Sequence, residues 1–115
     1  MSERVLFGLK NCDACRKAAQ WLDQNGYAYR FHDLRVDGLD PKQLELWLNK
    51  LGWEQVLNRK STTWRSLDEA SKTHLDDVKA FKLLLDHPTL IKRPILMDNQ
   101  NVIHGFSNDL YTREV

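Results

Sequence analysis

This sequence predicts an α/β fold, and three observations predict it. Residues 4–34 read strand, helix, strand; the middle of the chain holds only helical patterns; and the end returns to two short strands around turn chemistry. A strand–helix–strand run implies a βαβ unit with parallel strands, because the helix carries the chain back to the start of the sheet.

Taken in order, Arg4 to Leu9 is an apolar run of strand length, with Gly8 closing its densest part. Asn11 has the side chain of a helix N-cap, and Cys12, Cys15, Ala18, Ala19 and Leu22 follow at helical spacing. That reading puts Cys12 at the first helical position. Gly26, after Asn25, is expected to stop the helix as a C′ glycine. Tyr27 to Leu34 alternates aromatic and polar residues, as a second strand would.

Asp40-Pro41 is a cap followed by proline at the first helical position. Leu44, Leu46, Trp47, Leu48 and Leu51 then form an amphipathic helix that ends at Gly52. Trp53 to Leu57 leads into a polar loop over residues 58–63. Ser66 is expected to cap a short helix over Leu67 to Lys72. Thr73 or His74 opens another, with Val78, Phe81, Leu84 and Leu85 inward, closing at Asp86-His87-Pro88. The chain is thus expected to be one domain over residues 1–115, with a helical insertion at about 40–87. Ile95 to Met97, a turn at Asp98-Asn99-Gln100-Asn101, and Val102 to His104 read as a terminal hairpin. Gly105-Phe106 ends it, and Ser107 caps a last helix near Asn108 to Arg113.

The composition excludes several functions. With 115 residues, 42% hydrophobic, and four Trp, three Tyr and four Phe, the chain has material for one real core and is not a disordered segment. Lys and Arg number 17 against 16 Asp and Glu. That balance argues against a general nucleic-acid or membrane-surface binder. The run Val5 to Leu9 is too short for a leader, and no stretch reaches the roughly 18 apolar residues of a membrane span. A cytoplasmic protein, expected as a monomer, follows.

Cys12 and Cys15 are the only cysteines. A bridge between them closes too small a loop to staple the fold. Between a strand and a helix the pair has a chemical use. The start of a helix presents unpaired N–H groups and a partial positive charge, which stabilise a thiolate. Cys12 is the expected nucleophile, and Cys15, on the same face, the resolving thiol. Lys10, Arg16 and Lys17 add positive charge there, with Asp13 opposing. Two inert buried thiols are the plainer alternative. A zinc site needs about four ligands. The chain has no second cysteine pair, and His32, His74, His87 and His104 are scattered. No metal and no bound cofactor are expected.

Arg93-Pro94, at the mouth of the Ile95 strand, is the second constellation. If the Pro94 peptide is cis, it makes a tight turn and aims Arg93 toward whatever binds near Cys12; the sequence leaves the isomer open. Arg59 lies in the polar loop with Lys60 and Arg65. Guanidinium groups hold carboxylates and oxyanions in two-pronged fashion. For any one of these arginines, a solvated surface charge is the plainer reading.

Three blocks together resemble the ArsC/Spx family: Phe7 to Ala18 with its Lys10-Asn11-Cys12-Asp13, Asn58 to Arg65, and Leu90 to Leu96. The Lys-Asn-Cys-Asp opening and the late Gly105-Phe106 are most similar to the YffB-like subgroup. The resemblance implies a thioredoxin-like fold: a small mixed four-stranded sheet with flanking helices and a helical insertion before a cis-proline. It also implies that Cys12 is the nucleophile, that Arg59 and Arg93 bind anions, and that Pro94 is cis.

Three functions follow as expectations. The first is a thiol–disulfide oxidoreductase with glutathione as co-substrate. In it Cys12 attacks, Cys15 resolves, and Lys10, Asn11, Arg59, Arg93 and Pro94 form the binding set. The second is a redox-sensing regulator similar to Spx, which binds the C-terminal domain of the RNA polymerase alpha subunit. The third is an arsenate reductase coupled to glutaredoxin. Against it, Ile103-His104-Gly105-Phe106-Ser107 has no arginine where those enzymes carry a third one.

Overall fold

The computed structural model describes residues 3–99 and 101–115. The chain divides into two compact units, residues 1–37 with 93–115, and residues 38–92. The second unit is the helical middle of the sequence, and its bounds run wider than the expected 40–87.

The first unit is a four-stranded sheet in the order β2-β1-β3-β4: β1 Arg4–Gly8, β2 Arg30–Asp33, β3 Ile95–Asp98 and β4 Asn101–His104. β1 runs parallel to β2 and antiparallel to β3, and β3 pairs antiparallel with β4. The sheet is therefore mixed. Gly8 pairs with Asp33 and Phe7 with Ile95. Leu6, Leu96 and Ile103 lie across from one another on neighbouring strands. They share a core with Ala18 and Leu22 of α1 (Asp13–Gln24) and Tyr111 of α7 (Asn108–Glu114). The alternate residues Val5, Phe7, Ile95 and Met97 are buried too. Burial on both alternations explains why β1 and β3 read as continuous apolar runs.

Local chemistry sets the ends of α1. The Gly26 N–H donates to Asp23 O and the Tyr27 N–H to Leu22 O, at 3.2 and 2.9 Å, with Gly26 at φ +75°. This is a Schellman stop, and the positive φ is why glycine stands there. It also takes Tyr27 out of the expected second strand. β2 is only the four residues that β1 can pair, and Leu34 begins a turn. β1 likewise ends at Gly8, leaving Leu9 outside it.

The second unit packs α2 (Pro41–Leu51) on α6 (Asp77–Asp86), with α3 (Trp53–Val56), α4 (Thr62–Ser66) and α5 (Glu69–Lys72) between them in sequence. Leu44, Trp47, Val56, Ala80, Leu84, Leu90 and Ile91 are fully buried. An antiparallel bridge joins Leu57 to Ile91, with Asn58 N–H to Leu90 O at 2.8 Å and Lys92 N–H to Val56 O at 2.7 Å.

Several expected boundaries shift here. Ser61, not Ser66, caps a helix, accepting from the Trp64 N–H, so part of the expected loop is α4. Asp68 caps α5 and Asp76 caps α6, in place of Thr73 or His74. Val78 is 79% exposed and not inward. Ala80 and Leu84 define the buried stripe of α6, and Val78 stands about 200° round the helix from Ala80. Asp40 and Ser107 cap α2 and α7 as expected. Of the expected hairpin turn, Gln100 lies outside the described residues.

Candidate thiol site at the start of α1

α1 begins one residue later than expected. Cys12, with extended backbone at φ −117° and ψ 120°, is itself the N-cap, and its C=O accepts the first helical bond from the Arg16 N–H at 3.0 Å. Asn11, the better capping residue by type, is in the preceding turn and exposed. The preference for Asn at a cap is about 1 kcal/mol. At the cap position Cys12 makes no side-chain capping bond and interacts instead with Cys15 and Arg93.

Both cysteines are free thiols, and their surroundings differ. Cys12 is partly exposed. Burial pushes its thiol up, but the Cys15 S–H and N–H as donors, then the Arg93 guanidinium, outweigh that and hold it below the ordinary thiol range. Cys15 is 2% exposed. Burial, then the neighbouring Cys12, push its thiol well up, with the Leu9 N–H and Arg93 opposing. A thiol held low supplies more nucleophile at neutral pH, and one held high stays protonated.

Arg93 and Pro94 come to this site through β3. The Arg93–Pro94 peptide is cis, as the resemblance implied. The buried Pro94 accepts the Gly105 N–H at 2.8 Å. Lys10 is exposed and engaged with Asp33. Burial of Asp33 opposes ionisation, but the N–H groups of Arg35 and Val36, at 2.8 and 3.2 Å, and then Lys10 hold its carboxyl below the usual range. Arg16 is paired with Asp13.

Arg59 belongs to the second unit. Its guanidinium lies 5.6 Å from the Trp53 ring and 5.9 Å from the Trp64 ring. The sequence reading missed both tryptophans as partners of Arg59. It also missed Asp33, Tyr111 and the role of Gly8. Gly8 had a signal, since an isolated glycine inside a strand pattern marks a close approach.

A mixed four-stranded sheet with α1 and α7 packed on it, a cysteine pair at the first helix and a cis-proline ahead of β3 define a thioredoxin-like protein. Residues 7–113 match the model of the ArsC family, and the chain belongs to that family. A solved YFFB protein is 45% identical, covering 96% of this chain and 97% of its own, with a TM-score of 0.92. The solution structure of an arsenate reductase (ArsC) related protein from Brucella melitensis is 38% identical, covering 95% and 91%, with a TM-score of 0.77. The global transcriptional regulator Spx 2 of Bacillus anthracis is 27% identical over 91% of this chain and 81% of its own length.

Proposed function

We propose that this protein is a thiol–disulfide oxidoreductase that works with glutathione, with Cys12 as nucleophile and Cys15 as resolving thiol. One observation carries the reading: the asymmetry of the pair. Cys12 is accessible at the helix start and held toward thiolate beside Arg93, while Cys15 is buried and kept protonated.

In the proposed cycle the Cys12 thiolate attacks a disulfide, forms a mixed disulfide and releases one thiolate, which takes up a proton. Cys15 then loses its proton to solvent and attacks Cys12 Sγ. The second substrate thiolate leaves, and a Cys12–Cys15 disulfide remains. Two electrons have passed to the substrate. Two glutathione molecules return them and become glutathione disulfide. Arg93 is assigned to hold a carboxylate of glutathione, since its guanidinium already stands beside the reacting sulfur. Lys10, Asn11, Arg59 and Pro94 are carried as further members of the binding set.

The test is glutathione-dependent reduction of a mixed disulfide by the wild type and by Cys12→Ser. We expect loss of activity in the variant, and equal rates would overturn the reading.

Likeness to Spx regulators over 91% of the chain, with the cysteine pair present, supports a second reading. Oxidation would then change affinity for the RNA polymerase alpha C-terminal domain, and a pull-down without binding in either redox state would exclude it. Arsenate reduction is the weaker reading, because β4 and the turn after it carry no arginine from Ile103 to Ser107. As for location, no helix among the described residues is long and apolar enough to cross a membrane.

A further inference from the structure

Gly8 is the last residue of β1, paired with Asp33 and without a positive φ. Its backbone does not demand glycine, and glycine at a paired strand position carries an entropic cost. Space explains it. A Cβ at Gly8 would overlap Cys15 Sγ, and would stand 3.2 Å from Cys15 Cβ and 3.7 Å from Phe31 Cε1. The Cys15 sulfur thus occupies the volume that a side chain at position 8 would fill. The next residue, Leu9, turns its N–H toward the same sulfur. The Cys15 side chain also interacts with Cys12.

We infer that Gly8 is a positioning residue for the resolving step: by omitting a side chain, the end of β1 lets the Cys15 sulfur lie within reach of both the Leu9 N–H and Cys12. The inference rests on the dithiol reading above. In the resolving step Cys15 loses its proton, its sulfur bonds to Cys12 Sγ, and the bond from Cys12 to the substrate sulfur breaks. The three sulfurs must come close to a line. The Leu9 N–H is a backbone donor within the fold that can meet the buried Cys15 anion as it forms.

Alanine at position 8 leaves two outcomes. The Cys15 side chain rotates to another χ1 well, or the start of α1 shifts by a few tenths of an ångström. Either moves the resolving sulfur, and with it a donor that Cys15 offers to Cys12. The cost falls most heavily on the second chemical step, in which the Cys15 sulfur itself must reach Cys12 Sγ, and less on the first, which loses only part of the donation from Cys15 to Cys12.

The experiment treats reduced wild type and Gly8→Ala with glutathione disulfide, quenches with acid at intervals and weighs the products. Misplacing a reacting group by a fraction of an ångström is expected to slow the second step by about tenfold or more, well beyond any slowing of the first. The variant should therefore accumulate the glutathione adduct while the wild type passes on to the internal disulfide. Equal second-step rates would overturn the inference and leave the dithiol reading standing. A wild type that stops at the adduct overturns both.

A second measurement holds if Gly8→Ala folds poorly. Its stability penalty should shrink in a Cys15→Ala background, where the sulfur is gone. A penalty undiminished in that background means that Cys15 is not what fills the space, and overturns the inference.

Discussion

Arg93, immediately before cis Pro94, brings its guanidinium beside the thiol of Cys12, the N-cap of α1. The two are far apart in sequence and meet because β3 pairs with β1, the strand that leads into α1. A helix start and an arginine thus act on one sulfur.

The first prediction concerns this pair. The folded Cys12 thiol is held low, so its anion persists at a pH where a free thiol is protonated. Iodoacetamide alkylation followed against pH should rise below the ordinary thiol range of about 8.5. Arg93→Ala should move the profile upward, and Arg93→Lys should recover part of the shift. A profile unchanged by Arg93→Ala would show that Cys15 and the helix start set Cys12 without the arginine.

Cys15 has the opposite sign. Its folded thiol is raised by burial and by Cys12, so the folded state keeps the proton that the unfolded chain loses. The stability from this group is full below about pH 8.5 and falls as pH rises above that, by up to about 1.4 kcal/mol per pH unit. Denaturant unfolding of the reduced protein between pH 8 and 10 should therefore fall more steeply for the wild type than for Cys15→Ala. Parallel slopes would contradict the assignment.

Tyr111 is fully buried, and its hydroxyl has no hydrogen-bond partner among the described residues. Its ring meets Trp21 and Phe106 edge-on, with centroids at 5.4 and 4.8 Å. Tyr111→Phe keeps the ring and removes an unpaired polar group. It should be neutral or more stable by about 1 kcal/mol, whereas Tyr111→Ala should cost about 3–5 kcal/mol. Thermal unfolding of the two variants checks both.

Arg59, against Trp53 and Trp64, separates structural from binding roles. A cation–π contact at an exposed site contributes about 0.5–1 kcal/mol. Arg59→Ala should therefore leave stability within about 1 kcal/mol while weakening glutathione-dependent turnover. A variant with full turnover would reduce Arg59 to its tryptophan contacts.

Much was legible from the sequence alone, and all of it was local. The Gly26 stop, the Asp40-Pro41 and Ser107 helix starts, the hairpin strands and the helical middle each follow from a few neighbouring residues. Caps, turns and periodic apolar faces are settled by hydrogen bonds and burial within a turn or two of chain. The cysteine pair at the strand–helix junction was visible for the same reason.

Tertiary structure decided what depends on distant partners. Asn11 is the better cap by type, yet Cys12 takes the position, and there it meets Cys15 and Arg93. Val78 fits an inward apolar pattern, yet packing of α6 on α2 turns the Ala80–Leu84 stripe inward and leaves Val78 in solvent. Gly8 looks like a weak point in a strand until the Cys15 sulfur is found in the space beside it. The pairing of β3 with β1, which no local preference encodes, brings Arg93 to Cys12. Residue types supplied two thiols of similar chemistry, and unequal burial, the contact between the two sulfurs and the Arg93 guanidinium set one low and the other high.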